Sequence, residues 1–193
     1  ATFDAGLIHG VIGKNGAGKT VLLRLLCGLM HPSKGQVIVD GKQLGKDVDF
    51  APDAGIIIET PCFLPYLSGF QNLKELASIR NIISKEEIAE AMEQVKLDPS
   101  SRKHVGKYSL GMRQRLGIAQ AIMERPRYLI LDEPMNGLDT QGMEDVRELL
   151  QKQKETGVTV ILASHSMEDI RLLCDTVHRI QDASLIPCTT EFS

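Results

Sequence analysis

Tryptophan is absent from the 193 residues, and all aromatic residues together make up only 4% of them. The core must therefore be mostly aliphatic, and a stacked-aromatic platform for single-stranded nucleic acid has few residues to be built from. An excess of charge of one sign is missing too: 22 lysines and arginines stand against 25 aspartates and glutamates, a net charge of −3. That balance argues against a polybasic nucleic-acid binder, and no nucleic-acid partner is expected. Cysteine is sparse. Cys27, Cys62, Cys174 and Cys188 are spaced like neither a paired C-x-x-C zinc site nor a compact disulfide framework, and read as reduced thiols of a cytosolic protein. Long hydrophobic runs are lacking as well: the stretch at 25–30 is bounded by Arg24 and His31, whereas a membrane span needs about 20 mostly apolar residues. The opening Ala1-Thr2-Phe3-Asp4 has no basic region, no long apolar stretch and no initiator Met, and reads as a trimmed or excised domain.

What remains is ordinary globular usage, 42% hydrophobic and 24% charged, at a length that suits one domain or one domain with a smaller lobe. Residues 7–12 form a short apolar run ending in a Gly-rich turn, and an apolar helix pattern follows from Val21. Short runs at 36–39 and 55–58, bounded by Gly, Asp and Pro, predict strands. From about 61 to 125 the spacing becomes helical: 68–80, then a helix opened by the capping-box pattern Ser84-Lys85-Glu86-Glu87, then one after Ser109 that Pro126 ends. Strand grammar returns at 128–131 and 158–163, separated by a polar helix over 142–155, and a last helix is expected over 167–174 with Ser164 or Ser166 as its cap. Alternating strands and helices predict an α/β fold with a mainly parallel sheet covered on both faces.

Three groups of residues carry chemistry. Gly13-Lys14-Asn15-Gly16-Ala17-Gly18-Lys19-Thr20 satisfies G-x-x-x-x-G-K-[ST] between a predicted strand and a predicted helix. Its glycines turn successive N–H groups toward phosphate oxygens, Lys19 reaches the β- and γ-phosphates, and the Thr20 hydroxyl ligates Mg²⁺. Asp132-Glu133 stands at the C-terminal end of the apolar strand 128–131, where ligands of open α/β sheets bind. One carboxylate suits the metal shell and the other the attacking water, as in-line displacement at a γ-phosphate requires. His165 follows the 158–163 strand in the same way, with a neutral imidazole expected to donate to a γ-phosphate oxygen. Separately, Tyr108-Ser109-Leu110-Gly111-Met112 opens the third inserted helix as a second anion-binding end, so that one chain carries halves of two sites completed by a second chain.

In this order the motifs resemble the nucleotide-binding domain of ABC transporters, across nearly the whole chain: phosphate loop, signature helix, strand with Asp-Glu, Asn136-Gly137-Leu138-Asp139 in the place of the D-loop, then a switch His165. The resemblance implies a P-loop NTPase core over 1–60 and 126–193, with an all-helical subdomain over 61–125 that carries the signature. It implies an ATPase that uses ATP and Mg²⁺ as a nucleotide-sandwich dimer, homomeric or heteromeric, coupled to integral-membrane permease subunits and peripheral on the cytoplasmic face. Lys19, Glu133 and His165 would be catalytic. Gly13, Asn15, Gly16, Ala17, Gly18, Lys19 and Thr20 would hold the nucleotide, and Thr20, Asp132 and Glu59 the metal. Ser109 and Gly111 would touch the γ-phosphate on the opposite subunit, and Asp139 would connect the two sites.

Three positions depart from the family pattern. The signature lacks one glycine and the glutamine, while Gln114-Arg115 remain. Glu59 stands where a glutamine is usual, adding negative charge beside a triphosphate. The aromatic that stacks on adenine belongs upstream of Ala1, which leaves base contacts unassigned. Glu59-Thr60-Pro61 together with the 109–115 segment resembles the exporter branch linked to bacitracin resistance and lantibiotic self-protection, which implies an exporter of a drug or antimicrobial peptide. The competing readings are a soluble ABC-type ATPase acting on nucleic acid or the ribosome, a P-loop kinase and a binding-only module. Only about 90 positions separate Lys19 from Ser109, too few for a long coiled coil, and the chain holds one cassette.

Overall fold

The computed structural model describes residues 1–188. Six strands form one sheet in the order β4-β5-β6-β1-β7-β8. They are β1 (Ile8–Ile12), β4 (Ala54–Ile57), β5 (Tyr128–Asp132), β6 (Thr159–Ala163), β7 (Thr176–Gln181) and β8 (Ser184–Cys188). The first five in that order run parallel, and β8 is antiparallel to β7. β1 lies between β6 and β7, so the turns leaving the C-terminal ends of β5, β6 and β1 are near neighbours although their residues are far apart in sequence.

Burial on both faces explains the continuous apolar runs of the central strands. Side chains alternate: Leu129 and Leu131 of β5 enter one cluster while Ile130 enters another, and Val160 and Leu162 of β6 part from Ile161 and Ala163 in the same way. The smaller cluster takes Leu23 and Cys27 of helix α1 (Lys19–Cys27). The larger takes apolar faces of α2 (Gly69–Arg80), α3 (Lys85–Gln94), α4 (Leu110–Ile122) and α5 (Thr140–Glu155). A short helix α6 (Met167–Leu173) completes the set, with Ser166 accepting from the Asp169 amide as its N-cap. The inserted helices thus share a core with the sheet rather than closing a separate one. At the joint, Gly55 of β4 abuts the backbone of Ala121 in α4.

The capping box that the sequence indicates forms, Ser84 with Glu87, and a second one not read from the sequence, Ser68 with Gln71, opens α2. Other expectations shift. The run over 36–39 is one arm of a hairpin, β2 (Ile38–Val39) with β3 (Lys42–Gln43), turned by Asp40 and Gly41 at φ 50° and 75°. Helix α5 starts earlier than the polar pattern suggests because Asp139 accepts the Gly142 amide and caps it. β7 and β8 are additions, joined by Asp182 and Ala183 at φ 48° and 57°, a turn without glycine.

All four cysteines are free thiols. Burial pushes Cys27 and Cys174 up to about 12, so neither is a nucleophile at neutral pH. No helix among the described residues is long and apolar enough to cross a membrane.

Candidate functional site

A cleft of about 660 Å³ opens at the C-terminal ends of the strands. Its floor is the turn between β1 and α1, where Gly16 and Gly18 take φ 79° and 104°, conformations that a side chain would strain. Gly18 occupies the N-cap position of α1 and no side chain caps that helix, so its first-turn amides are left for an anionic ligand. Lys14, Asn15, Gly16, Gly18, Lys19 and Thr20 line the cleft. Lys19 is buried, and its ammonium donates to the Gly13 carbonyl at 2.9 Å, which fixes the charge over the loop.

The acidic pair comes in from β5. Thr20 Oγ1 donates to Asp132 Oδ2 at 2.7 Å, so a hydroxyl and a carboxylate separated by 112 positions share one point at the loop. These are two hard oxygen donors, and among the described residues there is no cluster of three metal-ligating side chains. Such a set fits Mg²⁺, which takes one or two protein oxygens and fills its shell with phosphate oxygens and water.

Glu133 leaves the strand at φ 49° with its amide still bonded to the Ala163 carbonyl at 2.9 Å, which turns its side chain into the cleft. Its Oε2 receives His165 Nδ1 at 2.8 Å and the His165 amide at 3.3 Å. An ionised carboxylate only accepts, so Nδ1 is the donor of this pair, and Nε2 is left unengaged by Glu133. His165 thus meets Glu133 directly through Nδ1, and the donation to a γ-phosphate oxygen expected of it falls to Nε2, which Glu133 does not engage. Behind it, buried Arg147 of α5 grips Asp169 of α6 at 2.6 and 3.0 Å, anchoring the helix that follows His165.

Glu59 reaches the cleft rim at φ 61°, but its carboxylate is engaged by Arg24 at 2.6 Å and not by Thr20 or Asp132. The sequence reading took account of the extra negative charge and missed its partner. The signal was present, since Arg24 follows Thr20 by four positions and so shares its face of α1.

Ser109 is exposed, caps α4 by accepting the Met112 amide, and stands outside the cleft lining, as do Gly111 and Asp139. Helix α4 nevertheless lies closer to the phosphate loop than its sequence distance suggests. Leu110 and Gln114 line the same cleft, and Gln114 Nε2 donates to the Pro134 carbonyl at 3.0 Å. Sequence reasoning gave neither residue a role. Gly111 packs against the Gly137 carbonyl, with 2.9 Å left for any Cβ, so the start of α4 and the loop after Glu133 are in close backbone contact.

The comparisons agree with this architecture. The family model described as ABC transporter matches residues 1–136. An uncharacterized ABC transporter ATP-binding protein of Bacillus subtilis, YybJ, is 46% identical over 90% of this chain and 80% of its own length. The bacitracin transport ATP-binding protein BcrA of Enterococcus faecalis is 40% identical over 94% of this chain and 59% of its own. The lantibiotic transport ATP-binding protein SrtF of Streptococcus pyogenes is 34% identical over 94% and 78%. The chain thus spans about four-fifths of the length of some relatives and about three-fifths of others. Among solved structures, an ATP binding subunit of an ABC transporter superposes with a TM-score of 0.87 at 26% identity, over 99% of this chain and 82% of that one. With a loop, an acidic strand end and an inserted helix lobe arranged in this way, and a family match over most of its length, the chain belongs to the ABC transporter family, among its ATP-binding proteins.

Proposed function

We propose that this chain binds and hydrolyses ATP as the nucleotide-binding subunit of an exporter whose cargo is an antimicrobial peptide. The observation that carries the ATPase reading is the 2.7 Å bond from Thr20 to Asp132, which ties the phosphate loop to the acidic strand end within one cleft. Catalysis of this kind is positioning and electrostatics. Lys19 and the amides of the loop stabilise charge on the transferring phosphoryl group. Magnesium, when bound, supplies charge neutralisation on the phosphate oxygens from a site made by Thr20 and Asp132. Glu133 orients the attacking water and accepts its proton, and His165 fixes the Glu133 carboxylate.

The second half of the proposal concerns assembly. Residues 61–125 act as the helical lobe of a core made by 1–60 and 126–193. The exposure of Ser109 and its place outside its own cleft support its use by a second nucleotide-binding domain in a sandwich dimer, identical or paralogous, with Gly111 beside it and Asp139 at the junction. The relatives named for bacitracin and lantibiotic transport support the cargo class and the coupling to permease subunits at the cytoplasmic face of a membrane.

The test is Glu133→Gln in the full-length protein. Binding of ATP is expected to persist, phosphate release to fall by about 100-fold or more, and an ATP-dependent dimer to accumulate on size-exclusion chromatography. Hydrolysis at the parent rate would overturn the assignment of the base.

A further inference from the structure

Glu59 and Arg24 pose a question of charge. A carboxylate at the rim of a triphosphate site repels the ligand, yet here it comes with a guanidinium from the helix that the phosphate loop opens. Both side chains are solvent-accessible, 38% for Arg24 and 63% for Glu59, and an ion pair so exposed adds little to folding stability. Position offers a better account. Arg24 lies one turn beyond Thr20 on the same face of α1, and Glu59 takes a left-handed backbone at φ 61° just after β4. The guanidinium therefore holds the carboxylate toward α1, on the cleft that Thr20 and Asp132 also line but bonded to neither.

We infer that Arg24 is a positioning residue: it neutralises Glu59 and keeps that carboxylate off the phosphates until a divalent cation is present to compete for it. The inference rests on the nucleotide-binding reading above. It makes the charge of residue 59 matter most for ATP without metal, and least for the metal complex, whose cation offsets the carboxylate directly.

The experiment measures equilibrium binding of a fluorescent ATP analogue to the full-length protein, with excess Mg²⁺ or with a chelator, for parent, R24Q, E59Q and R24Q/E59Q. In chelator, R24Q is expected to weaken binding by about threefold to fivefold at low salt, an effect that fades as salt is raised. With Mg²⁺ the loss should stay within about twofold, because the cation takes over the role of Arg24. The double variant should return to within about twofold of the parent in chelator, since with Glu59 neutral there is nothing left to offset. A double variant as weak as R24Q would mean that Arg24 contacts the nucleotide itself, which overturns the inference. Equal losses in R24Q with and without Mg²⁺, or no loss at all, would overturn it too. A parent that binds no analogue in either condition would instead refute the nucleotide-binding reading, so the two failures are distinct. R24K, which keeps the charge, should retain most of the parent's metal-free affinity.

Discussion

The Glu133 carboxylate and the His165 imidazole meet at 2.8 Å through Nδ1, and the His165 backbone amide approaches the same carboxylate oxygen at 3.3 Å. Two donors on one oxygen leave the other, Oε1, without a partner among the described residues and open to a water molecule, and they fix which way the carboxylate points.

Substitutions at 165 can separate the two ring nitrogens. Asparagine places an N–H near the position of Nδ1, glutamine reaches toward Nε2, and alanine offers neither. If His165 acts by holding Glu133, His165→Ala should lower turnover by about 100-fold and His165→Asn should recover about tenfold of that, with His165→Gln close to alanine. Steady-state phosphate release alongside nucleotide binding checks this. A glutamine variant outperforming asparagine would place the function at Nε2.

Much of this site was legible because its parts are local. The phosphate loop is eight consecutive residues whose glycines and lysine have no cheaper explanation, and Asp132-Glu133 ends an unbroken apolar strand. Contacts across the fold were legible only in part. The motifs assign Thr20 and Asp132, 112 positions apart, to one metal. The Arg24–Glu59 pair, spanning 35 positions, is hinted at only by the helical spacing of Arg24 from Thr20 and was missed. The β7–β8 hairpin escaped because Asp182 and Ala183 adopt positive φ without a glycine to mark them. Which nitrogen of His165 meets the carboxylate needed a coordinate, since a sequence states only that an imidazole is present.

Gly55 gives a prediction about packing. A Cβ at this position would fall on the carbonyl oxygen and carbon of Ala121 and on Leu129, so two backbones would have to separate. The strain is spatial, because Gly55 is an ordinary strand residue. Gly55→Ala is expected to cost about 3 kcal/mol, at the upper end of the range for overpacking. Its Tm should fall by roughly 6–12 °C. Because β4 leads to Glu59 and α4 begins at Leu110, the variant should also weaken ATP binding. Thermal unfolding with a binding isotherm tests both, and a variant within about 0.5 kcal/mol of the parent would show that α4 is not held against β4 as described.

His178 gives a prediction about pH. It is buried beside Phe3 at a ring-centroid distance of 5.0 Å and near His9 at 6.3 Å, and its Nδ1 has no hydrogen-bond partner among the described residues. Burial first, then His9, push its pKa below the ordinary imidazole value. The folded state therefore binds fewer protons than the unfolded state between that depressed value and about 6.5, and stability rises with pH across this window. The contribution is complete above about pH 6.5 and is lost as pH falls through the depressed value. His178→Phe keeps a ring against Phe3 and removes the titration. Its urea midpoint should match or exceed the parent's at pH 7.5, with the difference widening in the variant's favour at pH 6 and again at pH 5. Curves that stay parallel across those three pH values would show that His178 does not couple folding to protonation.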